Sequence, residues 1–262
     1  MVLDLSGRKA LVTGGVNGIG RAISEALIRC GAQVYVADLA AERPVERAPE
    51  FGGIGLEADV TNLDSLAAAF AAAGPLDIVV ANAGTATVAS LEATTVEIWD
   101  RTLRVNLTGA FHTMRLAAEQ MRPRRRGAIV LTASTNSYDG EPDLSAYNAT
   151  KAGLLGLLHT AAGELGPYGI RVNAVCPGLI RTRLTADHFA QGALLKEYFR
   201  HIPLGSGGHP EEVANAVAFL ASDLASFITG AALLIDGGQM ATKFGTWNEA
   251  SADFINDHWE LK

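Results

Sequence analysis

Short apolar runs alternate along this chain with stretches whose apolar positions recur every three or four residues, and that alternation sets the expected architecture. Lys9-Ala-Leu-Val-Thr13 reads as a short buried strand, and Ile19, Ala22, Ile23, Ala26 and Leu27 after it fall on one face of a helix. Gln33-Val-Tyr-Val-Ala37 reads as a second strand. Further strand candidates lie near 54–57, 76–81, 128–133, 171–175 and 231–235, separated by helical patterns. Strand and helix in strict alternation predict an α/β fold: a doubly wound, seven-stranded parallel sheet with helices on both faces. No linker, repeat or low-complexity tract divides the sequence, so residues 1–262 are expected to form one domain. In such a sheet a ligand lies beyond the carboxyl ends of the strands.

Two of those strand ends carry recognisable chemistry. The first strand runs into Gly14-Gly15-Val16-Asn17-Gly18-Ile19-Gly20 and then into the first helix. Glycines let the backbone take positive φ and let a ligand approach without a Cβ in the way, and the free N–H groups of a helix start attract phosphate. The spacing, Gly-x3-Gly-x-Gly, is a variant of the dinucleotide-binding turn. The second strand ends at Asp38, 20 residues after Gly18. An acid there accepts hydrogen bonds from the adenosine ribose hydroxyls and repels a 2′-phosphate. NAD is therefore expected over NADP. No basic residue stands at 15 or 39 to bind such a phosphate, although Arg43 lies a few positions on.

The third feature is Tyr147, four residues before Lys151 in Ser145-Ala-Tyr-Asn-Ala-Thr-Lys151. On a helix that spacing brings phenol and ammonium to about 5–6 Å at their Cβ atoms. At an effective dielectric near 20 their interaction favours phenolate by roughly 3 kcal/mol, which would lower the phenol's pKa by about two units. A phenol tuned in this way is a general acid and base.

With these three features the chain resembles the short-chain dehydrogenase/reductase family, from about residue 5 to about residue 238. Other segments agree. Asn82-Ala83-Gly84 follows the fourth apolar run, and Asp59-Val60 matches the turn that contacts adenine in relatives. Asn106 lies in a helical Arg-Val-Asn segment, and Ser134 precedes Tyr147 by the family's 13 residues. Pro177-Gly178, Ile180 and Thr182 fall in the segment beside the nicotinamide. The resemblance implies a Rossmann-like fold and an oxidoreductase that interconverts secondary alcohols and ketones by hydride transfer. Asn106, Ser134, Tyr147 and Lys151 would form the catalytic set. The cofactor would be held by Gly14, Asn17, Gly18, Ile19, Gly20, Asp38, Asp59, Val60, Asn82, Ala83, Gly84, Tyr147, Lys151, Pro177, Gly178, Ile180 and Thr182. It further implies self-association, as a dimer or tetramer, through helices over 97–120 and 145–165, and a substrate cover over about 179–205.

Composition narrows the field. With 48% hydrophobic residues and 28 glycines, 262 residues can bury one sizeable core. The formal charge of −7 disfavours nucleic acid as a partner. The one basic run, Arg122-Pro-Arg-Arg-Arg126, is read as a solvated loop beside a helix C-terminus. Cys30 and Cys176 make no disulfide framework, the six His are scattered, and no metal site is expected. There is no signal-peptide pattern and no apolar run long enough to span a bilayer. The expected compartment is the cytoplasm.

Some segments depart from the family. The intervals from Asp38 to Asp59 and from Asp59 to Asn82 are short, and Pro44 and Pro49 interrupt a region where relatives place a helix. That helix is expected to be short or absent. Past Gly238 a tail over 239–262 carries Phe244, Trp247, Phe254, Ile255 and Trp259, and is expected to pack on its own subunit or a neighbour, ahead of covering the substrate mouth. For substrate, Ser134, Asn136, Glu141 and Tyr147 are the candidate contacts, with Thr135 beside them. A carboxylate at 141 favours a hydroxyl-rich substrate such as a polyol or sugar-like alcohol. The runner-up is a reductase of oxoacyl or cyclic ketones. A non-catalytic NAD sensor would dispense with the Ser, Tyr and Lys, and a methyltransferase would not need their spacing.

Overall fold

The computed structural model describes residues 3–190 and 192–262. Seven parallel strands form one sheet: β1 (Lys9–Thr13), β2 (Gln33–Asp38), β3 (Ile54–Glu57), β4 (Ile78–Ala81), β5 (Gly127–Thr132), β6 (Ile170–Pro177) and β7 (Ala232–Ile235). Their order is β3-β2-β1-β4-β5-β6-β7. The sequence order reverses at β1 and β4, which opens a crevice at their carboxyl ends. The main helices are α1 (Gly18–Arg29), α2 (a single turn, Pro44–Arg47), α3 (Leu63–Ala73), α4 (Val96–Leu103), α5 (Gly109–Met121), α6 (Ser145–Leu165), α7 (Ala186–Phe189), α8 (Gly192–Phe199) and α9 (Pro210–Ala221).

Strands buried on both faces read as unbroken apolar runs, and alternate residues feed two cores. Leu11, Val79, Ile129 and Leu131 pack with Leu66 and Phe70 of α3, Met114 and Met121 of α5, and Leu154 and Leu158 of α6. Val12, Val34, Val36 and Val80 pack on the other face with Ile23 and Leu27 of α1 and Val213 and Val217 of α9. The seven-stranded, doubly wound sheet expected from the pattern is the sheet observed.

β4 starts at Ile78 and not at 76, and the cause is Asp77. Its carboxylate is 6% exposed and accepts from Lys9 N–H at 3.0 Å, Arg124 Nη1 at 3.2 Å and Arg126 Nη2 at 2.9 Å. Burial alone pushes this carboxyl up, but the Lys9 N–H and the two guanidiniums outweigh it and hold it below the usual carboxylate range. The basic run is thus not simply a solvated loop: Arg124 and Arg126 neutralise a buried acid, and the Arg122 guanidinium lies 4.4 Å from the Tyr168 ring centre.

Between β2 and β3 the two prolines sit at the starts of single turns, where a missing N–H costs nothing, so no long helix forms. Gly55 is required here, because a Cβ would lie 2.0 Å from the Pro44 carbonyl oxygen.

The tail forms an antiparallel hairpin, β8 (Ala252–Ile255) and β9 (His258–Leu261). Its Asn256-Asp257 turn has φ of 51° and 59°, the left-handed pair that suits a two-residue hairpin. Trp259 is fully buried against Leu195, Phe199 and Ile202 of the same chain, with Trp247 stacked at 6.5 Å.

Candidate active site

A cleft of ≈ 630 Å³ runs along the carboxyl ends of the strands from β2 to β6. The turn from Gly14 to Gly20 forms its floor. Gly14 has φ 64°, and a Cβ on Gly20 would lie 2.0 Å from the Gly14 carbonyl oxygen, so turn and helix close on each other only without side chains. Asn17 occupies the N-cap of α1, yet its side chain caps nothing and turns instead to Glu42 and Arg47. The first N–H groups of α1 therefore face the cleft without a side-chain acceptor, which is what a bound diphosphate requires.

Asp38 ends β2. Its Oδ2 accepts from Val16 N–H at 3.1 Å and its Oδ1 from Leu39 N–H at 2.9 Å. Burial raises its pKa, while those two N–H groups work the other way. Asp59 is occupied by the Thr61 N–H and hydroxyl, at 2.8 and 2.7 Å. With Val60 it still lines the cleft.

Asn82 has a more structural task than its position implied. Its Nδ2 donates to Thr13 O at 3.1 Å and Gly14 O at 3.2 Å, and its Oδ1 accepts from Thr132 Oγ1 at 3.1 Å. It ties the ends of β1, β4 and β5 together below Ala83 and Gly84. Pro177, Gly178, Ile180 and Thr182 line the opposite wall.

Asn106 sits in a π turn, Arg104–Thr108, between α4 and α5. Such a bulge turns one residue inward from a helix that would otherwise present it elsewhere. The side chain is 1% exposed and fully engaged: Nδ2 with Thr85 O (2.9 Å) and Thr150 Oγ1 (3.2 Å), Oδ1 with Thr85 N–H (2.8 Å).

Ser134, Tyr147 and Lys151 converge as expected at the cleft wall. Ser134 follows β5 in extended conformation, and Tyr147 and Lys151 project from consecutive turns of α6. The expected lowering of the phenol does not occur. Burial pushes Tyr147 up, a hydrogen bond with Ser134 pulls it back in part, and the charge of Glu141 adds to the rise. The reason is the direction of Lys151: its Nζ donates to Thr132 O at 2.7 Å and lies 5.4 Å from the Tyr147 ring centre. Burial takes the ammonium itself down to about 8.

Beyond Ser134 lies a polar network. Asn136 accepts from Ser134 Oγ at 3.2 Å, and its Nδ2 donates to Asn148 Oδ1 at 2.8 Å and Glu141 Oε2 at 3.4 Å. Asn148 Nδ2 donates to Glu141 O at 2.8 Å. Burial raises the Tyr198 phenol as it does that of Tyr147, and the Glu141 charge adds to the rise at both. Tyr198, from α8, accepts from Gln239 Nε2 at 3.1 Å. Tyr198 and Gln239 carried no local signal in the sequence. They come from segments 41 positions apart and meet only in the fold.

Residues 14–240 match a family model described as enoyl-(acyl carrier protein) reductase. An L-rhamnose 1-dehydrogenase (NAD(P)(+)) of Azotobacter vinelandii is 38% identical over 245 residues, covering 88% of this chain and 96% of the relative. A solved short-chain type dehydrogenase/reductase from Mycobacterium marinum superposes with TM-score 0.85 at 35% identity, covering 92% of this chain and 98% of its own. A candidate 2-deoxy-d-gluconate 3-dehydrogenase from Agrobacterium tumefaciens, solved with bound NADP, has TM-score 0.85 at 36% identity, over 92% and 99%. The chain belongs to the short-chain dehydrogenase/reductase family and is an NAD(P)-dependent oxidoreductase that interconverts alcohols and ketones at CH–OH groups.

Proposed function

We propose that the protein acts on a neutral, hydroxyl-rich secondary alcohol, a polyol or sugar, with NAD as the preferred cofactor. The observation that carries the substrate class is the Asn136, Glu141 and Asn148 network next to Ser134 and Tyr147. Its carboxylate and amides can exchange hydrogen bonds with several hydroxyls, which a hydrocarbon cannot offer. The similarity to a rhamnose dehydrogenase supports the same class.

When bound, the nicotinamide dinucleotide supplies hydride acceptance from carbon; everything else falls to the chain. Tyr147 removes the proton of the alcohol oxygen and returns it in the reverse direction. Ser134 donates to that oxygen as its charge changes. Lys151 places a positive charge one helical turn away. Asn106 holds the Thr85 loop against α6 through Thr150, which makes it a positioning residue. Asp38, at the adenosine end, supports NAD by its charge, against the mixed NAD(P) usage of relatives.

Oxidation needs one proton gone from the Tyr147 and Lys151 pair, and reduction needs it present. In the free enzyme the first proton to leave is that of Lys151, at about 8. The loss belongs to the pair, because a phenol and an amine with one proton fewer are the same ionisation state whichever group gave it up. We expect kcat/KM for alcohol oxidation to rise with pH to a plateau above about 8, and kcat/KM for ketone reduction to fall over the same range. Two flat profiles across that range would contradict the assignment.

The substrate class has its own test. Glu141→Ala should lower kcat/KM for polyols by about 10- to 100-fold and leave simple cyclic alcohols within about threefold. Equal losses on both would remove the argument for polyols. A wild-type preference for cyclic substrates would favour the reductase of oxoacyl or cyclic ketones.

We also infer a homo-oligomer. Phe111 and Trp99 are exposed on α5 and α4, and Leu233 and Leu234 on the edge strand β7, with Phe227 fully exposed nearby. Apolar surface of this kind is normally covered. Among the described residues no helix is long and apolar enough to cross a membrane.

A further inference from the structure

We propose that Glu42 is a second determinant of cofactor choice, acting by occupying Arg47 and Arg183, two cations at the adenosine end of the cleft. The inference rests on the NAD reading above and extends it to residues that no glycine-turn or ribose motif marks.

Glu42 ends the short turn Ala40–Glu42 after β2 and lines the cleft with Asn17, Asp38 and Arg183. Its oxygens are divided between partners. Oε2 accepts from Asn17 Nδ2 at 2.7 Å and lies 3.6 Å from Arg47 Nη1. Oε1 accepts from Arg183 Nη2 at 2.9 Å. Arg47 also donates to Asn17 Oδ1 at 3.0 Å. One carboxylate thus gathers the guanidinium of Arg183, which lines the cleft, and that of Arg47, which also holds Asn17.

The arrangement reaches Asp38. Arg47 acts on the Asp38 carboxyl through its charge, and Asp38 in turn acts on Arg183. Both guanidiniums therefore stand in the field of the residue that faces the adenosine ribose. A guanidinium is a planar set of donors that fits a phosphate dianion in two-pronged fashion. Two of them near a ribose edge would form a 2′-phosphate site, were they not already bound to Glu42. The acid acts twice: it adds negative charge beside Asp38, and it removes the donors that a phosphate would use. Arg43, flagged by the sequence for this role, is exposed and paired with Glu46.

The clasp also joins distant parts of the chain. Arg183 belongs to the segment following β6, 141 positions from Glu42. A 2′-phosphate would compete with Glu42 for Arg183 and pull apart the contact that holds this segment to the adenosine end.

The test is calorimetric titration of NAD⁺ and NADP⁺, without substrate, into the wild type, Glu42→Gln, and Glu42→Gln combined with Arg183→Ala. Glu42→Gln keeps the size of the side chain and removes its charge. It should lower the ratio Kd(NADP⁺)/Kd(NAD⁺) by about tenfold. Adding Arg183→Ala, at a side chain 73% exposed, should return the ratio most of the way. A ratio within twofold of wild type in Glu42→Gln would overturn the proposal, as would a fall that persists when Arg183 is removed. A wild-type ratio below one overturns the NAD reading instead, and it is read from a different protein.

Discussion

Replacing Tyr147 by Phe should lower kcat for alcohol oxidation by about a thousandfold, while the Kd for NAD⁺ stays within about threefold of wild type. The loss is that of a general base placed at the reacting oxygen, an effect of about 10² to 10⁴. The phenol is hydrogen-bonded to Ser134, and Lys151, whose Nζ lies 5.4 Å from its ring centre, is committed to Thr132 O at 2.7 Å. Glu141 is an acid whose charge acts on this phenol, but its Oε2 is turned to Asn136 at 3.4 Å. Steady-state kinetics with fluorescence titration of the cofactor separates the two quantities. A variant with wild-type kcat would remove Tyr147 from the chemistry, and loss of cofactor affinity in step with kcat would make its role structural.

The second large effect is expected far from the reacting atoms. Trp259→Ala should cost about 3–5 kcal/mol locally, the usual range for emptying a buried Trp site. The indole N–H of Trp259 donates to Lys196 O at 3.1 Å, and its ring lies 5.4 Å from that of Phe254. The backbone N–H of Trp259 donates to Gly205 O at 3.0 Å. These contacts fasten the tail hairpin to α8, the helix that carries Tyr198, whose phenol feels the Glu141 charge. This satellite core is separate from the two cores of the sheet. The cofactor site should therefore survive, whereas KM for substrate rises about tenfold or more and the segment over 179–205 becomes sensitive to limited proteolysis. Unchanged KM with an intact proteolytic pattern would disconnect the tail from the substrate side.

Which parts of this molecule could be read in advance follows from how local each signal is. The glycine turn, Asp38 and the Tyr147 and Lys151 pair lie within single elements or at fixed offsets, so their placement in one cleft followed from a parallel sheet with short connections. Asn82 and Asn106 were found, but their work was not. Their partners, Thr13 at 69 positions and Thr150 at 44, are known only once the strands and helices are set side by side. The π turn that points Asn106 inward has no sequence signature comparable to a glycine or proline. For the phenol, spacing gave the distance but not the direction: the lysine is one turn away, yet it is committed to the Thr132 carbonyl.

Other features left a faint trace that could have been used. Asn256-Asp257 between two alternating four-residue segments is a hairpin pattern, a signal separate from the tail's apolar content. Asp77 interrupts an otherwise apolar run, and four arginines lie in 122–126, two of which pair with it. Glu42, Tyr198 and Gln239 left none. Each gains its meaning from a residue more than 25 positions away or on the far wall of the cleft.

The most direct test of hydride removal from a CH–OH carbon supported by Tyr147 is isotopic. A polyol carrying deuterium on its carbinol carbons is mixed with NAD⁺ and the protein, and the reduced nicotinamide is examined by mass spectrometry. One deuterium in each reduced cofactor, formed by the wild type and suppressed about a thousandfold in Tyr147→Phe, is the predicted result. Reduced cofactor without the label, or labelled cofactor formed equally by both proteins, would contradict it.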